Sequence, residues 1–318
     1  MTTATTSAPA LTWSHSRGET FGACLRRYYH RYYGGCEGWR ADAPADARHT
    51  YRLTQLTSLD QVLGNSIHTR AREIAAAVVR GRPRPAYSVL LDRTRADLNR
   101  ICRNSKNLVA FARDPKRHPV LLSVYYGRGL GQETVDRIRT KAEVCLRNLV
   151  DCPVWSALEG CSPESVHVLD TPGSFEFEGT LVWAIPDLVY SRPGRPHSVV
   201  DWKTGRPDPP GAFQQLCLYG CFLRDGLGLD GRDGYEGQVV ELAAGRAWTI
   251  EIAEGDLHGA EVRVRASIDR MNGLLQGSPA EPRPIEHFPL AAKRARCPSC
   301  PYWELCEEEI RATGGPTP

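Results

Sequence analysis

Asp187 and Asp201 stand seven residues to either side of Gly194 in this 318-residue chain, and Lys203 follows two residues after Asp201. The text between them, Ser191-Arg-Pro-Gly-Arg-Pro196, is rich in turn residues, so the flanking segments are predicted to pair as an antiparallel hairpin. The two carboxylates then become cross-strand neighbours, with Cβ atoms roughly 4.5–5.5 Å apart. Carboxylates that close repel unless one is protonated or a cation sits between them. Lys203 is in phase with Asp201 on a strand of period two and projects from the same face. Two carboxylates and a lysine at one point suit hydrolysis assisted by Mg²⁺, which takes one or two carboxylates, waters and phosphate oxygens. The lysine would help deprotonate the attacking water or neutralise charge on phosphorus. On geometry alone, a surface hairpin with exposed Asp–Lys ion pairs competes with this reading.

A second constellation is C-x₂-C-x₅-C at Cys297, Cys300 and Cys306, one thiolate short of a tetrahedral metal site. The chain has eleven cysteines, and Cys102, Cys145, Cys217 and Cys221 fall in apolar helical text, where cysteine acts as a small buried hydrophobe. The opening MTTATTSAPALTW carries no basic n-region and no apolar h-region, and no run approaches the roughly 18 apolar residues of a membrane span. A cytoplasmic, reducing compartment without membrane attachment is expected. There the clustered cysteines read as metal ligands, not disulfides.

These residues need elements to hold them. Residues 1–12 and 311–318 read as disordered ends, and 13–310 as one domain. Helix-compatible text runs from Ser14 to Tyr33. Ser58-x-x-Gln61 is a capping box opening a helix whose Leu63, Ile67, Ala71, Ile74 and Val78 make one apolar stripe. Helical text over about 92–113 and about 132–150 lies in an insertion at about 86–155. After Pro163, alternating and β-branched segments read as strands over about 164–254, interrupted by a helix at 213–223 and followed by a long helix at 254–275. The cysteine segment occupies about 285–308. The order predicts an α/β fold, one mixed sheet flanked by helices.

Net charge is only +3, but 17 Lys and Arg against 6 Asp and Glu fall between Ser66 and Lys141. A face of that sign suits a polyanion; a solvated Arg-rich helical surface is the alternative. No G-x₄-G-K-[ST] is present, so the chain is not itself an ATP-driven motor.

P-D-L-V at 186–189 followed by V-V-D-W-K-T-G at 199–205 resembles the signature of the PD-(D/E)XK nucleases. Gln215-x₃-Tyr219 and the helix histidine in Gly64-Asn-Ser-Ile-His68 resemble its RecB-like exonuclease branch. Cys24 with L-R-R-Y-Y, together with C-x₂-C-x₅-C, resembles the iron–sulfur subgroup, which includes AddB-type subunits and CRISPR-associated exonucleases. The motifs run in order from about residue 13 to 308. The resemblance implies a restriction-endonuclease-like fold. It implies His68, Asp187, Asp201 and the Trp202 carbonyl as ligands of Mg²⁺ or Mn²⁺, Lys203 as catalytic lysine, and Gln215 and Tyr219 as support. It also implies Cys24 as the fourth ligand of a [4Fe–4S] cluster; four cysteines would equally hold structural Zn²⁺. Asp201 stands where many relatives carry Glu, and Leu25 where many carry Pro. His68 lies beside its helix's apolar stripe, where a core histidine bonded to a carbonyl is the competing role.

Arg26 and Arg27, beside Tyr28 and Tyr29, suit single-stranded nucleic acid through phosphate contacts and base stacking. The expected function is a metal-dependent DNA nuclease, an exonuclease on single strands or free ends, serving repair, CRISPR adaptation or phage defence, with any helicase a separate protein partner. A rival is a nuclease-like subunit that holds DNA or a protein in a larger assembly with no required cleavage. A structural zinc protein would leave the His/Asp/Asp/Lys set to coincidence.

Overall fold

Alternating stretches of the sequence form strands and stretches with the helical repeat form helices in the computed structural model, which describes residues 11–277 and 281–315, all but the side chain of Asp233. Of the ends expected to be disordered, 1–10 and 316–318 lie outside the described residues. Thr12 belongs to a short strand, and Arg311 and Ala312 close the last helix.

The chain begins with β1 (Thr12–Ser14), α1 (His15–Ala23), α2 (Leu25–Tyr29), α3 (Ala45–Thr54) and β2 (Leu56–Thr57). Next come α4 (Leu59–Val79), α5 (Tyr87–Asn104), α6 (Leu108–Arg113), β3 (Val120–Leu121), α7 (Leu122–Tyr125), α8 (Gln132–Val150) and α9 (Val154–Glu159). The strand-rich part holds β4 (Val166–Leu169), β5 (Gly173–Phe177), β6 (Thr180–Ala184), β7 (Leu188–Tyr190) and β8 (His197–Lys203). It continues through α10 (Pro209–Cys221), β9 (Tyr235–Glu241) and β10 (Arg246–Ile252). Last are α11 (Glu254–Asn272), β11 (Leu275–Gln276), β12 (Glu281–Pro282) and α12 (Trp303–Ala312).

The chain divides into two compact units. The first comprises the residues up to Thr57, Asn104–Arg128 and those from Val264 on; the second comprises Ser58–Arg103 and Gly129–Arg263. The expected insertion at 86–155 is thus shared between them. The reason is long-range: Leu56 of β2 pairs in parallel with Val120 of β3, and Leu53, Leu56, Phe111, Val120 and Tyr302 form one core. No local period reveals such contacts.

In the first unit the helix expected over 14–33 is broken. Cys24 is extended, with φ −165°, so α1 ends there, and its sulfur accepts the Arg27 N–H at 3.4 Å as the N-cap of α2. The chain then winds through a π-helical turn, His30–Gly34.

In the second unit the sheet order is β10-β9-β8-β7-β4. Its neighbours are antiparallel except β8 and β9, which run parallel. A parallel pair requires a crossover connection, and α10 supplies it. β5 and β6 form a separate antiparallel hairpin. This is a mixed α/β fold of the restriction-endonuclease-like kind. β7 and β8 pair Leu188 with Val200 and Tyr190 with Ser198, a register centred on Gly194, whose φ of 64° suits glycine. β8 is buried from Ser198 to Trp202, as a central strand covered on both faces must be. α10 lies close on β9 because residue 237 is glycine: a Cβ there would sit 2.7 Å from Leu216 Cδ1.

The capping box of α4 forms as expected. Ser58 Oγ accepts the Gln61 N–H at 3.2 Å, and Gln61 Oε1 accepts the Ser58 N–H at 3.0 Å. The stripe from Leu63 to Val78 is buried throughout. Ile67→Ala should therefore cost about 2–5 kcal/mol, read in urea as a lower midpoint with an unchanged slope.

Candidate active site

Asp201 and Lys203 share one face of β8, and the intervening Trp202 turns to the other, where its indole stacks on Trp155 at 5.4 Å. Asp187, one residue ahead of β7, continues the hairpin register to lie opposite Asp201. Its Oδ2 accepts the Trp202 N–H at 2.8 Å, and its Oδ1 lies 2.6 Å from His68 Nδ1 on α4. Both aspartates are buried.

Lys203 Nζ is 2.7 Å from Asp201 Oδ2, an ion pair, and it donates to Gln215 Oε1 at 2.8 Å. Asp201 Oδ2 is thus a buried carboxylate oxygen whose charge is met by the Lys203 ammonium. Gln215 and Tyr219 are four residues apart on one face of α10. Asp208 starts this helix by accepting the Gly211 N–H at 2.9 Å, with Pro209 and Pro210 in the first turn. Gln215 Nε2 donates to Tyr219 Oη at 2.7 Å, and Tyr219 donates to the Ile185 carbonyl at 3.0 Å. Ile185 stands two residues before Asp187, so the ladder closes on the segment that presents the first carboxylate.

The charges follow from this burial. Burial pushes the Asp201 carboxyl up to about 6; the Asp187 charge adds to the rise, while Lys203 and His68 oppose it. Burial alone would lower the His68 pKa, but the hydrogen bond to Asp187 and the charges of Asp187, Asp201 and Asp170 outweigh it, and the imidazole titrates higher than usual. Burial and then the two aspartates hold the Tyr219 hydroxyl far above its usual range, so it stays a neutral donor.

An imidazole and two buried carboxylates gathered at one point are a donor set that suits a divalent cation such as Mg²⁺ or Mn²⁺. Among the described residues, no three His, Cys, Asp or Glu side chains already stand as a ligand set. Asp187 spends both oxygens on His68 and the Trp202 N–H. Each carboxylate oxygen has a second lone pair, so both contacts leave Asp187 able to face a cation.

The four cysteines all fall in the first unit. Cys24 separates α1 from α2, Cys297 opens a short 3₁₀ turn that the Cys300 N–H closes on the Cys297 carbonyl at 2.9 Å, and Cys306 is buried on α12 with Sγ 3.8 Å from His30 Nε2. Burial raises the thiols of Cys297, Cys300 and Cys306, the last two to about 11 and about 12, and the charge of the Cys24 sulfur adds to each rise. The sulfurs therefore share one neighbourhood without forming a closed ligand cage.

Arg26, expected to contact DNA, has its guanidinium committed: Nε donates to the Phe288 carbonyl and Nη1 to Glu309, both at 2.8 Å. The Arg27 Nε is buried without a hydrogen-bond partner. Tyr28 is wholly buried, its hydroxyl held by Arg17. The basic stretch is also partly self-neutralised: Arg93 pairs with Glu73, Arg95 with Glu143, and Arg137 and Lys141 with Asp60. Sequence reasoning missed the backbone partners, the Trp202 N–H and the Ile185 carbonyl. Only the Gln-x₃-Tyr spacing hinted at a ladder.

With this geometry, a fold and a site of one kind coincide along nearly the whole chain. The model of the PD-(D/E)XK nuclease superfamily matches residues 12–307, and the chain belongs to that superfamily. Membership implies a nuclease with DNA as substrate and Mg²⁺ or Mn²⁺ as the usual ion. No curated protein matches the chain. Among the described residues, no helix is long and apolar enough to cross a membrane.

Proposed function

We propose that this chain is a divalent-metal-dependent exonuclease of the RecB-like branch, hydrolysing single-stranded DNA or DNA from free ends. The observation that carries the reading is the continuous set His68–Asp187–Asp201–Lys203–Gln215–Tyr219, gathered from α4, the β7–β8 hairpin and α10. His68, Asp187 and Asp201 would hold the cation, which when bound supplies water of lowered pKa and neutralises phosphate charge. Lys203, steadied between Asp201 and Gln215, brings a positive charge to the phosphate as negative charge develops there. Gln215 gives its amide protons to Tyr219, which keeps its oxygen turned to Lys203. Tyr219 anchors α10 to the segment entering Asp187, so the lysine and the carboxylates keep a common frame.

Cys24, Cys297, Cys300 and Cys306 we assign to a [4Fe–4S] cluster, with Zn²⁺ the alternative occupant. The chain acts in the cytoplasm, and any motor is a separate partner.

The test uses end-labelled linear single- and double-stranded DNA and a covalently closed single-stranded circle of the same sequence, with Mn²⁺ or with EDTA. Linear DNA should disappear only with metal, and the circle should survive. Rapid cleavage of the circle would overturn exonuclease action; inertness toward every substrate would overturn the catalytic reading.

A further inference from the structure

The first unit contains a cleft of about 1030 Å³ that the catalytic reading does not use. At its mouth Trp39 is 63% exposed, its ring edge-on to Tyr51 at 5.8 Å. An indole left that far in water forgoes the burial such a side chain usually finds. The backbone that carries it is fixed: at Gly38 it approaches α3 so closely that a Cβ would overlap the Ala47 carbonyl oxygen. Around the indole, Arg48 and Arg52 of α3 line the cleft with Arg113 and Lys116. Among the described residues none of these four has an acidic partner within ion-pair distance, whereas Arg93, Arg95 and Arg137 are all paired. Asp114 is the one acid in the lining, and its carboxylate is engaged by the Arg117 N–H at 3.1 Å.

We propose that this cleft binds a segment of single-stranded DNA, one base stacking on Trp39 and the phosphates lying along Arg48, Arg52, Arg113 and Lys116; the proposal rests on the DNA-nuclease reading. An exposed aromatic on a fixed backbone, among unpaired cations, is the pairing that single strands need, because every base offers a π-face and every linkage a charge. Duplex bases are already stacked on each other, so they leave nothing for the indole. An acidic peptide would satisfy the cations but not the indole.

The test measures binding by the full chain in EDTA, which separates binding from cleavage, using anisotropy of a fluorescein-labelled oligothymidylate across a salt series. Trp39→Ala should weaken affinity about ten-fold, and Trp39→Phe should recover most of it. Arg113→Gln with Lys116→Gln should flatten the log–log salt slope by about 1.4, roughly 0.7 for each lost phosphate contact. Unchanged affinity in Trp39→Ala, in a protein that still degrades DNA with Mn²⁺, would overturn the cleft and spare the nuclease reading. A wild-type chain that neither binds nor degrades DNA overturns both. Displacement of the oligonucleotide by an acidic peptide more readily than by unlabelled oligothymidylate overturns the choice of ligand.

Discussion

Asp201→Asn and Lys203→Ala should each reduce DNA hydrolysis by about a thousand-fold or more, with opposite effects on stability. Burial pushes the Asp201 carboxyl up to about 6, with the Asp187 charge adding to the rise. A carboxyl whose folded pKa lies above its unfolded value holds its proton more tightly in the fold. Stability is therefore lost as pH rises from about 4, the unfolded value, through about 6. Asparagine at 201 has no proton to lose. In EDTA the melting temperature of Asp201→Asn should match wild type below this window, pull ahead across it and stay ahead above it. Lys203→Ala removes the cation from beside two buried carboxylates and should melt below wild type at neutral pH. Calorimetric titration with Mn²⁺ separates the roles further: Asp201→Asn should bind the ion weakly, whereas Lys203→Ala should bind it as well as wild type. Equal loss of metal in both variants, or wild-type cleavage by either, would show the roles to be misassigned.

The hairpin behind this prediction was legible because its information is local. Turn residues around Gly194 and equal arms to Asp187 and Asp201 fix the register, and the structure pairs the strands about that centre. The capping box of α4 and the apolar stripe beside His68 were legible for the same reason. What escaped is what depends on partners far away in the chain. Arg26, read as a DNA contact beside Cys24, is also engaged by Phe288 and Glu309 from more than 250 residues on. The break at Cys24 follows Gly22 by two residues, but neither Cys24 nor Leu25 is itself a helix breaker and helical text resumes at once. Residues 104–113 continue the helical text expected from about 92, but β3 and Phe111 take 104–128 into the first unit. Trp39, one aromatic in a loop, carries no period at all.

Cys24→Ala should strip the metal from the first unit and lower its melting temperature, while Cys102→Ala should leave the metal in place. Cys24 ends α1 and caps α2, whereas Cys297, Cys300 and Cys306 lie on the turn and helix that close the described chain. A cluster across them would tie together segments 273 residues apart, from 24 to 297, and closing so long a loop restricts the unfolded chain. Without metal this corner is weak in another respect. Cys300 and Cys306 are pushed up to about 11 and about 12, so at neutral pH they are protonated thiols that make poor hydrogen bonds. Metal binding must displace those protons, so affinity should fall as pH is lowered. Anaerobically purified wild type should be brown, with about four iron atoms per chain, and a chelator should lower its melting temperature toward that of Cys24→Ala. Stoichiometric zinc without visible absorbance would replace the iron assignment and keep the four-cysteine site. Full iron content in Cys24→Ala would remove Cys24 from the ligand set and leave three cysteines in need of a different fourth partner, for which His30, with Nε2 3.8 Å from Cys306 Sγ, is a candidate.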